Sequence, residues 1–285
     1  MLHFHPIERK SNQYLKTGTG DKGSKITASS KIESQILRIT SFIRDYVNGS
    51  EANGVVVGLS GGVDSSVVAS LSVRALGPHR VLGVYLFEEG STSQDLRDAM
   101  GVAKSLGLKT LDISISPLLQ PIQKMLESRL RTVSKITSAN IKARIRMVLL
   151  YAIANQKKLL VAGTGDRSEL LVGYYTKYGD GAADILPIAH LYKGEVRQIA
   201  QALNLPPEIA MKPSSPNLWK GQKATDELPA DYPELDKILA LLYDARKSPA
   251  QVSRIAGVSQ AKVKMTIMMN SKSKHKRALP ASLER

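Results

Sequence analysis

The sequence contains no cysteine, and this absence excludes several classes of site at once. Disulfide frameworks, thiolate zinc sites, iron–sulfur clusters and cysteine nucleophiles all need that residue. Long apolar runs are absent too: stretches such as 55–57 and 159–162 are far shorter than the ~20 residues of a membrane-spanning helix. Residues 1–10 lack the apolar centre of a secretory signal. We therefore expect a cytoplasmic protein with no membrane partner.

Acidic residues are scarce relative to basic ones. The 285 residues include 40 lysines and arginines but 25 aspartates and glutamates, which gives a net charge of +15. Such an excess indicates anionic partners, namely nucleotides, nucleic acid or an acidic surface. The alternative is a solvated basic surface without a specific ligand, and charge alone does not choose among these.

Short β-branched runs alternate with amphipathic segments through the middle of the chain. Strands are predicted at 54–59, 81–86, 109–115 and 159–163, and helices at 31–49, 67–76, 93–106, 141–154 and 196–203. The continuous Val-rich run at 54–59 is typical of a strand buried on both faces of a parallel sheet. This alternation predicts an α/β fold, an open and mainly parallel sheet with helices on both faces.

The two ends of the chain have a different texture. Residues 1–30 are polar and rich in Ser, Thr, Gly and Lys, so we expect an N-terminal extension there. After Pro206, prolines interrupt a loop-rich stretch, and short helices are predicted at 234–246 and 249–256. We expect a single domain over 31–280, with its α/β core at about 54–205 and a loop-rich and helical part at about 206–280.

The most informative motif is a glycine loop, Gly58-Leu-Ser-Gly-Gly-Val-Asp-Ser65, between a predicted strand and a predicted helix. Adjacent glycines allow close backbone approach, and their N–H groups together with a helix N-terminus form a cradle for an anion. Asp64 would repel a phosphate unless Mg2+ bridged the two. The loop lacks the lysine of a Walker A motif and the spacing G-x-G-x-x-G. The alternative interpretation is an ordinary glycine-rich turn in which Asp64 caps the helix.

The full pattern S-G-G-x-D-S after a Val-rich strand resembles the pyrophosphate loop of the N-type ATP pyrophosphatases. Further blocks resemble one family among them, the ammonia-dependent NAD(+) synthetases. These blocks are NIKARIRM (140–147), GTGDRSE (163–169), GYYTKYGDGAAD (173–184), LYKGEV (191–196), KPSSPNLW (212–219) and HKRALP (275–280). The resemblance covers about residues 32–280 and implies an adenine-nucleotide α-hydrolase-like, Rossmann-like fold.

The resemblance also implies a carbon–nitrogen ligase. In that reaction ATP, the co-substrate, adenylates the nicotinate carboxylate of deamido-NAD and releases pyrophosphate, with Mg2+ as the cofactor. Ammonia then displaces AMP and gives NAD. Negative charge must be neutralised where the carboxylate meets the α-phosphate, and the leaving pyrophosphate must be stabilised.

Site residues are carried over from the resemblance position by position. The ATP-binding set is Gly58, Leu59, Ser60, Gly61, Gly62, Val63, Asp64, Ser65, Thr164, Lys193 and Ser215. Asp64 and Glu169 are the expected Mg2+ ligands, and Asp64, Lys193 and Glu169 are the expected catalytic residues. The deamido-NAD set is Arg144, Lys177, Asp184, His275 and Lys276, which offers cations for phosphate and carboxylate and a carboxylate for ribose hydroxyls.

Several neighbouring residues are assigned differently. Arg146, two positions beyond Arg144 on a predicted helix, points away from it and is expected to support the structure. Asp180 is a secondary candidate for binding. Tyr174, Tyr175 and Tyr178 suit either base stacking or a core or interface. The loop 222–229 departs from the family pattern, because its acidic pair comes two residues late, so its carboxylates are left out of the expected site.

The nitrogen source and the assembly are also expectations. A fused glutaminase domain needs a cysteine nucleophile, which this chain lacks, so we expect free ammonia or a separate ammonia-supplying protein. Family members are typically homodimers. Two alternatives remain open: a tRNA-modifying ATP pyrophosphatase of the lysidine type, which the +15 charge would suit, and a nucleotide-binding regulator without turnover. The 173–184 block and the His-Lys pair argue against nucleic acid, and Asp64, Glu169 and Lys193 argue against the regulator.

Overall fold

The structure, a computed structural model, describes residues 28–89, 93–216, 218–219 and 221–283. Nearly all of the expected N-terminal extension therefore lies outside the described residues. The strands are β1 (Gly54–Gly58), β2 (Val81–Phe87), β3 (Lys109–Ser114) and β4 (Leu159–Ala162). The helices are α1 (Ala28–Gly49), α2 (Val63–Leu76), α3 (Ser93–Ser105), α4 (Ser116–Leu130), α5 (Lys135–Lys157), α6 (Arg167–Val172), α7 (Lys193–Ala202), α8 (Pro207–Ala210), α9 (Tyr232–Leu239), α10 (Pro249–Ala256) and α11 (Gln260–Lys272).

The strands form one parallel sheet in the order β3–β2–β1–β4. Val57 near the end of β1 lies opposite Gly83 of β2 on one side and Ala162 of β4 on the other. Because all strands run the same way, their carboxyl ends share one edge, where open α/β sheets bind ligands. The predicted fold class is confirmed.

Alternate side chains of β1 enter cores on opposite faces of the sheet, as the two-residue period of a strand requires. Val55 and Val57 pack on one face, in a core built with α1, α2, α3 and α7. Val56 packs on the other face, in a core built with α4 and α5. Val55, Val56 and Val57 are fully buried, which explains why the strand has no polar face.

A third apolar cluster joins the C-terminal part to the end of the α/β region. It contains Val172 of α6, Leu235 and Ile238 of α9, Val252 of α10 and Val263 of α11. Helix α9 also packs on α7. The C-terminal helices are thereby brought up to the carboxyl edge of the sheet.

Four helices within the described ranges were not predicted: α4, α6, α8 and α11. Helix α8 is a single turn of 4 residues that begins at a proline. Helix α4 carries Pro117 in its first turn, where no N–H is needed, and Pro121 inside, so its sequence resembles a loop. Helix α6 is only 6 residues long, and α11 lacks a clear apolar stripe. The segment predicted as a helix over 234–246 is α-helical to Leu239 and continues as a π-helical turn, Ala240–Asp244. No helix within the described ranges is both long and apolar enough to cross a membrane.

Candidate active site

A cavity of about 450 Å3 opens at the carboxyl edge of the sheet. This volume lies in the range of small-molecule sites. Residues of the expected ATP-binding set that line it are Gly58, Leu59, Ser60, Gly62, Val63, Asp64, Thr164 and Ser215. Glu169 and Lys276 also line it. The structure thus gathers these residues from four separate segments of the sequence around one space.

The glycine loop forms the wall of the cavity at the start of α2. Gly61 has a φ of 74°, and a Cβ there would lie 2.5 Å from the carbonyl oxygen of Asp95, so both conformation and space demand glycine. Ser65 Oγ accepts from the backbone N–H of Ser60 (3.2 Å) and shares a hydrogen bond with Ser60 Oγ (3.0 Å). Gly62 at the N-cap of α2 provides no capping side chain. The first N–H groups of α2 are therefore available for an anionic ligand.

Lys193 lies at the centre of an acidic cluster behind this loop. Its side chain is fully buried, and Nζ lies 2.8 Å from Asp64 Oδ2, 2.9 Å from Asp166 Oδ2 and 2.9 Å from Glu169 Oε1. Nζ donates hydrogen bonds to Asp64 and Glu169, and Asp166 is a third carboxylate that pairs with the ammonium by charge. Lys193 was expected to contact ATP phosphates; in this conformation its donors are held by the acids instead.

Burial and neighbouring charges shift the pKa values of Glu169, Asp166 and Lys193 in this cluster. Burial is the main cause that raises the pKa of Glu169 to about 8 and that of Asp166 to about 6, and the neighbouring carboxylates add to both. The same carboxylates raise the pKa of Lys193 well above its usual value, against the effect of burial. Three acids share one ammonium, so the cluster has excess negative charge and favours binding either a proton or a cation.

Mg2+ fits this chemistry although the protein offers no ready-made cage. Across the ranges that the structure describes, no group of three or more His, Cys, Asp or Glu side chains is arranged to hold a metal ion by itself. Mg2+ is usually held by one or two carboxylates plus substrate phosphates. Asp64 Oδ1 is buried and has no hydrogen-bond partner among the described residues. Asp64 and Glu169, both on the cavity wall, thus provide suitable oxygen ligands.

Asp166 is a member of the cluster that sequence reasoning missed. It is fully buried, and it caps α6 by accepting from the backbone N–H of Glu169 at 2.8 Å. Asp166 and Glu169 have the spacing of a capping box, in which both positions carry a carboxylate. This pattern could have been recognised in the sequence. The cap aims both carboxylates toward Lys193.

Lys212 is a second residue that was not expected. Its Nζ donates to the carbonyl oxygen of Gly61 (3.0 Å), to Asp95 (2.8 Å) and to Asp98 (2.5 Å). It therefore ties the glycine loop to α3 and to the proline-rich segment that begins at Pro213. Each of these contacts joins residues more than 100 positions apart in the sequence. A local sequence pattern therefore could not have predicted them.

The two arginines of α5 point to different sides of the helix, as predicted. Arg146 faces the cavity, whereas Arg144, the expected substrate ligand, faces solvent. Arg146, expected to support structure, lines the cavity, and its buried Nε has no hydrogen-bond partner in the described part of the chain. Arg144 is exposed, and its Nη2 donates to the carbonyl oxygen of Lys177 at 3.3 Å. Glu227, from the loop left out of the expected site, also lines the cavity and accepts from Tyr174 Oη (3.2 Å).

The expected deamido-NAD residues form a band beside the cavity. Lys177 Nζ donates to the carbonyl oxygen of His275 at 2.8 Å. Asp184 accepts from the backbone N–H of Val161 at 2.7 Å. Lys276 lines the cavity and donates to the carbonyl oxygens of Gly173 (2.7 Å) and Tyr175 (2.6 Å). Arg144, Asp184 and His275 are exposed, so this band faces outward from the protein.

Similarities to known proteins agree with this architecture. The family model described as NAD synthase matches residues 35–280. The chain is 49% identical over 243 residues to the NH(3)-dependent NAD(+) synthetase of Hyperthermus butylicus, covering 85% of this chain and 87% of that one. It is 43% identical over 253 residues to the enzyme of the same name from Methanocaldococcus jannaschii, covering 89% and 97%.

Solved structures are similar as well. NMN synthetase from Francisella tularensis superposes with a TM-score of 0.78 at 32% identity, covering 89% of this chain and 99% of that one. NH3-dependent NAD synthetase from Campylobacter jejuni superposes with a TM-score of 0.73 at 31% identity, with the same coverage. The sequence, the parallel sheet and the cavity around the glycine loop lead to one conclusion: the chain belongs to the NAD synthase family.

Proposed function

We propose that this protein uses ATP and ammonia to convert deamido-NAD to NAD, through an adenylated nicotinate carboxylate. The observation that carries the proposal is the uncapped start of α2 facing the cavity beside a lysine held by three acids. Such a site binds a polyphosphate with a divalent cation, and the names of the similar enzymes supply the substrate and the amine.

The first step forms a bond between a carboxylate oxygen and the α-phosphorus of ATP. The bond from that phosphorus to the bridging oxygen breaks, and pyrophosphate leaves. We assign its stabilisation to the N–H groups at the start of α2 and to the hydroxyls of Ser60 and Ser65. Mg2+, when held by Asp64 and Glu169, would neutralise charge on the leaving group.

The second step forms the amide. The ammonia nitrogen attacks the acyl carbon, the carbon–oxygen bond to AMP breaks, and one proton passes to solvent. The chain contributes orientation: Thr164 and Ser215 lie on the cavity wall, and Ser215 Oγ is held by the carbonyl oxygen of Gln222 at 2.6 Å. Effective catalysis of this kind depends mainly on positioning and electrostatics.

We assign to Lys193 a role that requires a change of partners. In the present conformation its ammonium pairs with three carboxylates and donates hydrogen bonds to two of them, Asp64 and Glu169. A divalent cation held by Asp64 and Glu169 would leave donors of Lys193 available for a phosphate oxygen. In the present conformation Lys193 neutralises part of the negative charge of the three acids.

The outward band of substrate-binding residues favours a homodimer. Exposed apolar side chains lie on α5, which carries Arg144, and on α4, which packs against α5: Ile136 and Val148 on α5, and Leu118 and Met125 on α4. Such a face is suited to a second copy of the chain, which would cover the dinucleotide beside Arg144. We propose that residues 31–280 act as one domain within that dimer, supplied with free ammonia or by a separate donor protein.

One assay tests the proposal. Purified protein is incubated with ATP, Mg2+, ammonium and deamido-NAD, and NAD, AMP and pyrophosphate are quantified. Equal amounts of the three products are expected. Nicotinate mononucleotide is offered in parallel, because one similar structure is named NMN synthetase, and salt-dependent tRNA binding is measured as well. The proposal is contradicted if the protein turns over neither deamido-NAD nor nicotinate mononucleotide. Binding of tRNA at physiological salt would favour the lysidine-type alternative.

A further inference from the structure

The N-terminus of α7 is capped by two side chains from other helices. The backbone N–H of Lys193, the first residue of α7, donates to Ser168 Oγ at 3.1 Å. The next N–H, that of Gly194, donates to Asp236 Oδ2 at 2.8 Å. Ser168 Oγ in turn donates to Asp236 Oδ1 at 2.5 Å. The carboxylate of Asp236 on α9 therefore accepts two of these three hydrogen bonds.

This arrangement fixes the backbone at Lys193 from outside its own helix. The first N–H groups of a helix have no intrahelical partner and are usually satisfied by nearby residues of the same segment. Here Ser168 comes 25 positions earlier and Asp236 more than 40 positions later. A carboxylate at a helix N-terminus is also stabilised by the helix dipole and makes strong hydrogen bonds. Burial strengthens the constraint, since Ser168 and Lys193 are fully buried.

A second contact from the same helix points to the same lysine. Tyr232 lies one turn before Asp236 on α9, and Lys193 Nζ lies 4.9 Å from the centre of its ring. Helix α9 thus contacts both the backbone and the ammonium of Lys193. The C-terminal part of the chain therefore contacts the lysine at the centre of the acidic cluster.

We infer that Asp236 is a positioning residue for Lys193, acting through Ser168 and through the N–H of Gly194. The inference rests on the proposed function. Asp236 holds the start of α7 in place while the side chain of Lys193 exchanges its carboxylate partners for a phosphate oxygen. Without this anchor, the ammonium is displaced from both sets of partners, and the chemical step suffers more than binding of the dinucleotide.

The test compares Asp236→Asn, Ser168→Ala and the double variant with the wild type. Asp236→Asn keeps the shape of the side chain but cannot accept both hydrogen bonds. We expect kcat to fall by roughly 10–100-fold in each single variant, the usual effect of removing an outer partner of a site. The KM for deamido-NAD, bound at the outward band, should change by less than about threefold. The double variant should resemble the worse single variant, because the two residues form one relay.

Glu234→Gln provides the matched control. Glu234 lies on the same helix and pairs with Lys262, away from Lys193, so this carboxylate-to-amide change should leave kcat and KM unchanged. The inference is overturned if Asp236→Asn lowers the melting temperature but keeps kcat within twofold of wild type. It is equally overturned if the two single effects multiply in the double variant.

The design also covers a variant that does not fold and a wild type that has no activity. If Asp236→Asn does not fold, Ser168→Ala decides alone, since it leaves the bond between Asp236 and Gly194 intact: a lower kcat at unchanged KM supports the relay, and an unchanged kcat refutes it. Absence of NAD formation by the wild type defeats the proposed function, whereas failure of the variants to differ from an active wild type defeats only this inference.

Discussion

Replacing Lys193 by methionine removes the ammonium that pairs with three acids. Lys193 is fully buried, and its Nζ lies within 2.9 Å of Asp64, Asp166 and Glu169. Methionine fills a similar volume without the charge, so the change isolates electrostatics from packing. Breaking a buried ion pair by removing one partner costs about 3–5 kcal/mol, and we expect a loss of stability of that size at pH 8.

The loss should depend on pH in a definite direction. Burial already raises the pKa of Glu169 to about 8 and that of Asp166 to about 6. An acid whose pKa is higher in the folded than in the unfolded state stabilises the fold at low pH, and this contribution disappears as pH rises through the folded pKa. Without the ammonium, both pKa values rise further. If the folded variant then holds one more proton than the folded wild type, the difference in stability widens by about 3 kcal/mol from pH 6 to pH 8.

Urea unfolding at pH 6 and pH 8 measures this difference. Lys262→Met is the matched control, because Lys262 is 39% exposed and should contribute less than about 1 kcal/mol at either pH. Millimolar Mg2+ should restore more stability to Lys193→Met than to wild type, since it replaces the missing charge. An equal loss at both pH values would refute the assignment of Lys193 as the cation of this cluster.

Two further changes test other parts of the account. Gly173→Ala should destabilise the fold by more than about 1 kcal/mol, because Gly173 has a φ of 73° and a Cβ there would lie 2.0 Å from Ser273 Cβ; a thermal melt within 1 °C of wild type would contradict this. Arg144→Ala should raise the KM for deamido-NAD at least tenfold while leaving the melting temperature unchanged, because Arg144 is exposed on the outward band; an unchanged KM would remove Arg144 from the substrate site.

The parallel sheet was predictable because its physical cause is local. A continuous run of valines followed by glycines is typical of a buried strand that ends in a tight turn. Val55, Val56 and Val57 are indeed fully buried. The glycine loop was predictable for the same reason. Its position at the cavity follows from the rule that strand ends form the ligand edge.

The partners of Lys193 were only partly predictable. Asp64 and Glu169 were expected near the phosphates, but their direct contact with Lys193 depends on packing of α6 and α7 against the glycine loop. Asp166 was signalled by its capping box, yet its full burial depends on tertiary structure. Asp236 had no local signal, because on α9 it resembles any acid on the polar side of an amphipathic helix.

The rotation of α5 against the sheet explains why Arg146, and not Arg144, lines the cavity. Helical periodicity predicts that Arg144 and Arg146 point in different directions, and they do. Which direction faces the cavity depends on how α5 is rotated against β1 and β4, and its weak amphipathic pattern does not specify that rotation. The structure places Arg146 on the cavity wall, where its buried Nε has no hydrogen-bond partner within the described ranges.

The adenylated carboxylate is the central claim, and an isotope experiment tests it most directly. Deamido-NAD labelled with 18O in the nicotinate carboxylate is converted with ATP, Mg2+ and ammonium, and AMP, pyrophosphate and NAD are analysed by mass spectrometry. The mechanism predicts one labelled oxygen in each AMP formed, since the oxygen that attacks the α-phosphorus leaves with it. Label in pyrophosphate, or unlabelled AMP beside labelled NAD and water, would contradict the account.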